Sequence, residues 1–91
     1  MSEPIAFDAV PVQTERGHVR LPLPFDPREA WGRSRRHYVT GEIGGLPFDG
    51  SVGFQGGVAF LVLAKDFRER ASIKVGDPVH AVIRQADAPP A

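Results

Sequence analysis

A basic run with an aromatic residue at each end is the clearest chemical feature of the sequence. It extends from Trp31 to Tyr38, and between these two residues it carries Arg33, Arg35, Arg36 and His37. Arginines beside aromatic rings suit phosphate contacts and stacking on planar groups. A solvated charged loop is the simpler interpretation of the same residues. The run is therefore a candidate binding site whose alternative is an ordinary surface loop.

Arg28 and Arg68 form a second candidate feature. Each follows an aspartate by two positions, and the aspartates, Asp26 and Asp66, have the sequence pattern of helix N-caps. An arginine in the first turn faces the positive end of the helix dipole, which costs about 0.3–1 kcal/mol. Its recurrence predicts a tertiary partner for both guanidinium groups. That partner is either a carboxylate of the chain or an anion that the helix N–H groups also bind.

Catalytic and metal-binding patterns do not emerge from the sequence. The three histidines, His18, His37 and His80, lack the spacing of metal ligands, and no serine lies in a nucleophile elbow. The chain has no cysteine, so disulfides and thiolate metal sites are excluded. We therefore predict no catalytic residue, no metal and no cofactor. An enzyme with a site at the mouth of a barrel remains a weaker alternative.

The glycine-rich stretch Ile43–Phe60 invites comparison with a phosphate-binding loop. Such a loop opens directly into a helix and, in its best-known form, ends in Gly-Lys-Ser/Thr. Here an apolar strand-like segment follows each glycine pair, and the next helix pattern begins only after residue 64. The pairs Gly44-Gly45 and Gly56-Gly57 are better interpreted as turns between strands.

The order of predicted elements is ββαβ followed by ββαβ. Strands are predicted at residues 5–14, 18–23, 36–43, 48–54, 58–64 and 79–84, with short helices after residue 26 and at 65–73. When residues 12–43 are laid over 52–83 without gaps, nine positions are identical, including Val12/Val52, Leu21/Leu61 and Asp26/Asp66. This self-similarity predicts one domain, 1–91, made of two repeats, 5–44 and 45–85, followed by a flexible tail, 86–91.

Two ββαβ units related by a pseudo-twofold axis can interleave into one barrel. We predict a mainly β fold, a closed six-stranded barrel with two short helices, one at each end. Closure within one chain completes the core without a partner, which favours a monomer or a weak dimer.

Charge and hydropathy limit the classes of function. Among 91 residues, 11 lysines and arginines balance 11 acidic residues, and the isoelectric point is near 6.8. This balance argues against nucleic acid as the partner. The longest apolar run, residues 58–64, is far shorter than the roughly 18 residues of a membrane span. We therefore expect a soluble cytoplasmic protein with no membrane association.

Three segments resemble a known family. They are YVTGEIGGLPF at Tyr38–Phe48, GGVAFLVLAK at Gly56–Lys65 and VGDPV at Val75–Val79. Together with the element order, they resemble the uncharacterised prokaryotic DUF1905 family over roughly residues 5–85. The resemblance implies a double-split β-barrel, a single-chain relative of the swapped-hairpin barrels of AbrB- and MazE-like regulators. It implies no activity, and no residue role carries over from the family.

The sequence thus predicts a non-enzymatic binding or interaction module. Its partner would be a protein, a small ligand or an anion, bound at the barrel mouth that carries Trp31. The candidate binding residues are Arg28, Trp31, Arg33, Arg35, Arg36, Tyr38 and Arg68. An AbrB-like DNA-binding regulator is the first alternative, and a small enzyme is the second.

Overall fold

A computed structural model describes residues 3–32 and 36–86 of the chain. Within these residues it contains seven strands and two short helices. In chain order they are β1 (Ile5–Ala9), β2 (Val12–Gln13), β3 (Val19–Pro22), α1 (Pro27–Trp31), β4 (Tyr38–Ile43), β5 (Leu46–Gln55), β6 (Val58–Leu63), α2 (Lys65–Ala71) and β7 (Val79–Ala86). In the described part of the chain, neither helix is long and apolar enough to cross a membrane.

The strands form one antiparallel sheet in the order β1-β7-β4-β5-β6-β3-β2. The prediction of a mainly β fold with two short helices is confirmed. The prediction of a closed six-stranded barrel is wrong, because the sheet has seven strands and is open and curled. Its two edges, β1 and β2, are successive parts of one chain segment, joined only through Val10 and Pro11.

The strand pairing relates the two halves of the sheet. Leu21 lies opposite Leu61 in the β3–β6 ladder, and Glu42 lies opposite Val82 in the β4–β7 ladder. In each pair the two residue numbers differ by 40, so corresponding positions face each other across both ladders. This is the pairing that two copies of one unit would produce. The duplication itself remains a prediction.

The first strand does not follow the 40-residue offset. Ile5 pairs with Ile83, whereas Leu46 pairs with Ile43, so Ile5 corresponds to Leu46 and the offset there is 41. The ungapped alignment of Val12 with Val52 is therefore wrong. Val12 is 48% exposed, whereas Val52 lies in the core at 7%. The extra residue lies in the first hairpin turn, which has three residues, 15–17, where the second has two, 56–57.

Pro11 explains why the ladder stays open. It is buried and has no N–H group to donate, so the strand pairing stops on both sides of it. Its carbonyl accepts a hydrogen bond from the N–H of Gly76 at 3.1 Å. At the corresponding place in β5, the N–H of Val52 donates to the carbonyl of His37 at 2.8 Å, and β5 continues unbroken.

Helix α1 begins where the sequence predicts. Asp26 is its N-cap, in an extended conformation, and its carboxylate accepts a hydrogen bond from the backbone N–H of Arg28 at 2.9 Å. Pro27 occupies the first helical position, which suits its fixed φ and missing N–H. Gly32, with φ of 86°, ends the helix after only five residues.

Helix α2 begins at Lys65, as the sequence predicts, but with a different cap. Its N-cap is Ala64, so the prediction of Asp66 as an N-cap is wrong. A residue before proline is disfavoured in the helical conformation, which keeps Asp26 outside α1. Phe67 stands where α1 has its proline, so Asp66 is free to be helical. Its carboxylate forms an ion pair with Arg70 at 3.2 Å.

The core fills the concave side of the sheet. Leu21, Ile43, Leu61 and Ile83 are fully buried there, and Phe67 of α2 packs against the same cluster. Burying each aliphatic side chain of this size contributes about 1.5–3 kcal/mol. The alternation of buried and exposed residues along β3 and β6 then fixes which side chains face outward.

Candidate functional site

An aromatic chain of contacts lies at the end of the sheet that α1 covers. Phe7 meets Phe25 edge-on with ring centroids 6.0 Å apart, and Phe25 meets Trp31 in the same way at 5.4 Å. Trp31 in turn contacts the imidazole of His37 at 6.1 Å with the rings tilted by 51°. We call the group Phe25, Asp26, Arg28, Trp31, His37 and Phe54 the α1 mouth.

His37 is the unusual member of this group. Its side chain is only 2% exposed, yet neither Nδ1 nor Nε2 has a hydrogen-bond partner within the described residues. A buried polar group left without a partner costs about 1–3 kcal/mol, and folded proteins retain few of them. The backbone of His37 is held in place because its carbonyl accepts from Val52. Within the described part of the chain, the hydrogen-bonding capacity of the imidazole is thus unused.

His37 was not among the predicted binding residues, because the three histidines lack the spacing of metal ligands. The signal was the period of two along β4. His37 is two residues before the buried Val39 and has the same parity as Ile43, which places all three on the inner side of the sheet.

Asp26 and Arg28 form an ion pair at the rim of the α1 mouth. The Nε and Nη2 atoms of Arg28 each donate to one carboxylate oxygen of Asp26 at 3.1 Å. These hydrogen bonds, together with the one from the backbone of Arg28, hold the pKa of Asp26 below its ordinary value. They also raise the pKa of Arg28. The guanidinium carbon lies 5.4 Å from the centroid of the Phe54 ring.

Arg68 has a different environment from Arg28. It is half-buried, and its Nε donates to the backbone carbonyl of Leu63 at 3.1 Å. Because β3 and β6 are antiparallel and each leads into one helix, α1 and α2 lie at opposite ends of this strand pair. The structure therefore separates Arg68 from the α1 mouth.

The other predicted binding residues do not come together in one place in the described structure. Tyr38 is half-buried in β4, opposite Ser51 and Ala86, and faces the other side of the sheet from His37. Arg36 is exposed and has an interaction partner. Arg33 and Arg35 lie outside the described residues. Of the predicted set, Arg28 and Trp31 meet at the α1 mouth.

The α2 end of the sheet has neither a tryptophan nor a buried histidine at the positions that correspond to Trp31 and His37. Phe48 and Phe67 meet edge-on at 5.4 Å, and Ala71 stands where the first half has Trp31. The position that corresponds to His37 is Asp77, which is exposed. The two ends of the sheet are therefore chemically unequal.

The α1 mouth can hold a planar group more readily than a metal. Aromatic rings provide flat apolar walls, and a neutral imidazole provides one donor and one acceptor. The described residues contain no group of three or more side chains placed to hold a metal ion.

The model of one protein family matches residues 7–83 of the chain, and its description is "Domain of unknown function (DUF1905)". The chain belongs to the DUF1905 family. The resemblance found in the sequence is thus confirmed, and the match extends from Phe7 in β1 to Ile83 in β7, so it includes both ends of the sheet. No curated protein matches this DUF1905 chain. Roles for its residues follow from its own geometry.

Proposed function

We propose that this DUF1905 protein is a non-enzymatic binding module that holds a small ligand at the α1 mouth. The observation that carries the proposal is the buried imidazole of His37, whose two nitrogens have no partner within the described residues. A ligand that hydrogen-bonds to this imidazole would remove an energetic cost of about 1–3 kcal/mol for each satisfied atom. Binding would thus recover free energy that the ligand-free fold leaves unused.

The neighbours of His37 define the kind of ligand. Trp31 is half-buried at the last position of α1, where its ring contacts the rings of Phe25 and His37. A flat ring that packs on Trp31 would reach the imidazole with a polar substituent at its edge. We therefore expect a planar ligand with a hydrogen-bonding group, of the size of a substituted benzene.

The fluorescence of Trp31 provides the assay, because it is the only tryptophan of the chain. Benzamide has a planar ring with one group that both donates and accepts, benzoate carries a negative charge instead, and acetate lacks the ring. We expect a saturable fluorescence change with benzamide or benzoate and none with acetate. The comparison of benzamide with benzoate also tests whether the ligand is an anion.

Two variants make the assay specific. His37→Leu removes both nitrogens and is expected to abolish the response, whereas His80→Leu changes a mostly exposed histidine and is expected to retain it. A response of the same affinity in His37→Leu would refute a role for the imidazole. The absence of any saturable response to the aromatic probes would refute the ligand site.

The two alternative functions have no specific observation in their favour. DNA binding by an AbrB-like mode and catalysis at a barrel mouth remain predictions from the sequence. The same holds for the expectation of a monomer or weak dimer and for a cytoplasmic location.

A further inference from the structure

The outward side of β6 and its neighbours differs from the rest of the surface. We call it the β6 face and define it by the residues that alternate with buried ones in the ladders, namely Val12, Arg20, Pro22, Gly53, Gln55, Val58, Phe60 and Val62. Val12, Val58 and Val62 are 48%, 49% and 51% exposed. Val58, Phe60 and Val62 follow one another on this side of β6, whereas Arg20 separates Val62 from Val12. Contiguous exposed apolar side chains mark interaction surfaces more often than isolated ones do.

The outward side of β1, β7 and β4 differs in composition from the β6 face. Across β1, β7 and β4 it carries charges of both signs, including Asp8, His80, Arg84 and Glu42. Asp8 and His80 are joined across the strands at 2.8 Å. This face has the mixed charge of a solvated surface, so the apolar character of the β6 face is not a general property of the sheet.

Arg20 is the only charged residue of the β6 face. Its guanidinium carbon lies 4.1 Å from the centroid of the Phe60 ring, and Nη1 donates to Oε1 of Gln55. Its Nε atom is buried and has no hydrogen-bond partner in the described part of the chain. The ion pairs formed by the described residues do not include Arg20. The guanidinium is therefore held in a fixed position and partly desolvated, and no carboxylate of residues 3–32 or 36–86 forms an ion pair with it.

We propose that the β6 face docks a partner protein through a segment in which an aspartate or glutamate is flanked by apolar side chains. The carboxylate would pair with Arg20, whose planar fork accommodates two parallel hydrogen bonds. The flanking side chains would cover Val12 and Val62. Arginine is enriched among the residues that dominate binding energy at interfaces, and Arg20 packs on the Phe60 ring between the exposed side chains of Val12 and Val62. This docking surface is separate from the α1 mouth and does not depend on it.

Selection of random heptapeptides displayed on phage tests the proposal without a known partner. On the wild-type protein we expect enrichment of peptides with one acidic residue between apolar ones. On Arg20→Glu we expect that acidic residue to disappear and lysine or arginine to replace it. Arg84→Glu, which changes a cation on the charged face, is the matched control and is expected to select the same peptides as the wild type.

The best peptide then allows a direct measurement. Replacing its acidic residue by the corresponding amide is expected to weaken binding to the wild type by about 10- to 100-fold, the range for hydrogen bonds to charged groups. Val62→Ser, at an exposed position where folding is not at risk, is expected to weaken binding of the unmodified peptide as well.

Three results would overturn the proposal. One is selection of no acidic consensus on the wild type, and another is the same consensus on Arg20→Glu as on the wild type. The third concerns a second copy of this chain as the occupant. If sedimentation shows a wild-type dimer that Val62→Ser dissociates, the face is a self-association surface and the proposed partner is wrong.

Discussion

Replacing His37 by leucine is expected to stabilise the fold, the opposite of what most buried substitutions do. A neutral imidazole has one donor and one acceptor, and the described residues satisfy neither. Removing these groups relieves about 1–3 kcal/mol for each buried unsatisfied atom. Leucine is close to histidine in volume, and a hydrophobic swap of similar volume costs less than about 1.5 kcal/mol in packing. For the two nitrogens together, the balance is a gain of about 0.5–6 kcal/mol.

Thermal unfolding measured by circular dichroism reveals a gain of this size. For a domain of 60–100 residues, 1 kcal/mol shifts the melting temperature by about 4–8 °C. His80→Leu is the matched control, because the imidazole of His80 is mostly exposed and contacts the carboxylate of Asp8. An exposed pair of this kind contributes about 0.2–1 kcal/mol, so the control is expected to be neutral or slightly destabilising.

The sign of the effect decides whether the reasoning holds. If His37→Leu lowers the free energy of unfolding by more than about 1 kcal/mol, the imidazole makes a stabilising hydrogen bond in the folded protein. It is then not available to hydrogen-bond to a ligand. His37→Phe separates this result from a misfit of shape, because it keeps a planar ring against Trp31. Loss of stability in both variants would refute the argument.

Three other expectations follow from the geometry. Because the Asp26 pKa is lowered from 3.8, its ionised form adds stability above that value and loses it as the pH falls through the folded-state pKa. Asp26→Asn should therefore be less stable than the wild type at neutral pH, and the gap in melting temperature should close in acid; a constant gap would contradict this. A Cβ at Gly41 would lie 2.1 Å from a backbone oxygen of β7, whereas Gly45 has open space and a positive φ. In urea, Gly41→Ala should cost more than about 4 kcal/mol and Gly45→Ala about 1–2 kcal/mol, and equal costs would refute the close approach of β4 and β7. Leu21→Ala and Leu61→Ala should each cost about 2–5 kcal/mol by the same measurement, and tolerance of either one would contradict its place at the centre of the core.

Local patterns in the sequence predicted much of the fold correctly. Alternation of apolar residues located the strands, and the Asp-Pro pair located the start of α1, because both features act through neighbouring residues. The N-cap of α2 was predicted wrongly because Asp66 has the same residue type as Asp26 but lacks a following proline. Residue type alone did not distinguish a cap from a residue of the first turn.

The closure of the sheet could not be predicted from the same patterns. It depends on Pro11, which has no N–H group to donate and interrupts the strand between β1 and β2. The two hairpin turns also differ by one residue. The 40-residue offset concealed that difference, since Val12 and Val52 are identical in type while their environments are opposite. The candidate site was predicted in part, because Arg28 and Trp31 both belong to the α1 mouth. The place of His37 in this site was not predicted, since it rests on the ring contact with Trp31 across the connection between α1 and β4.

Both proposed sites lie where corresponding positions of the two halves carry different residues. The buried pairs Leu21/Leu61 and Ile43/Ile83 are identical, because the core imposes the same demand on each half. Trp31 corresponds to Ala71, and Arg20 corresponds to Phe60. At both pairs of corresponding positions the same fold contains two different residue types. The shared pairing scheme therefore does not dictate a tryptophan at one mouth or an unpaired arginine on the β6 face. Residues that the fold does not require and that carry an uncompensated energetic cost are the ones from which binding is best inferred.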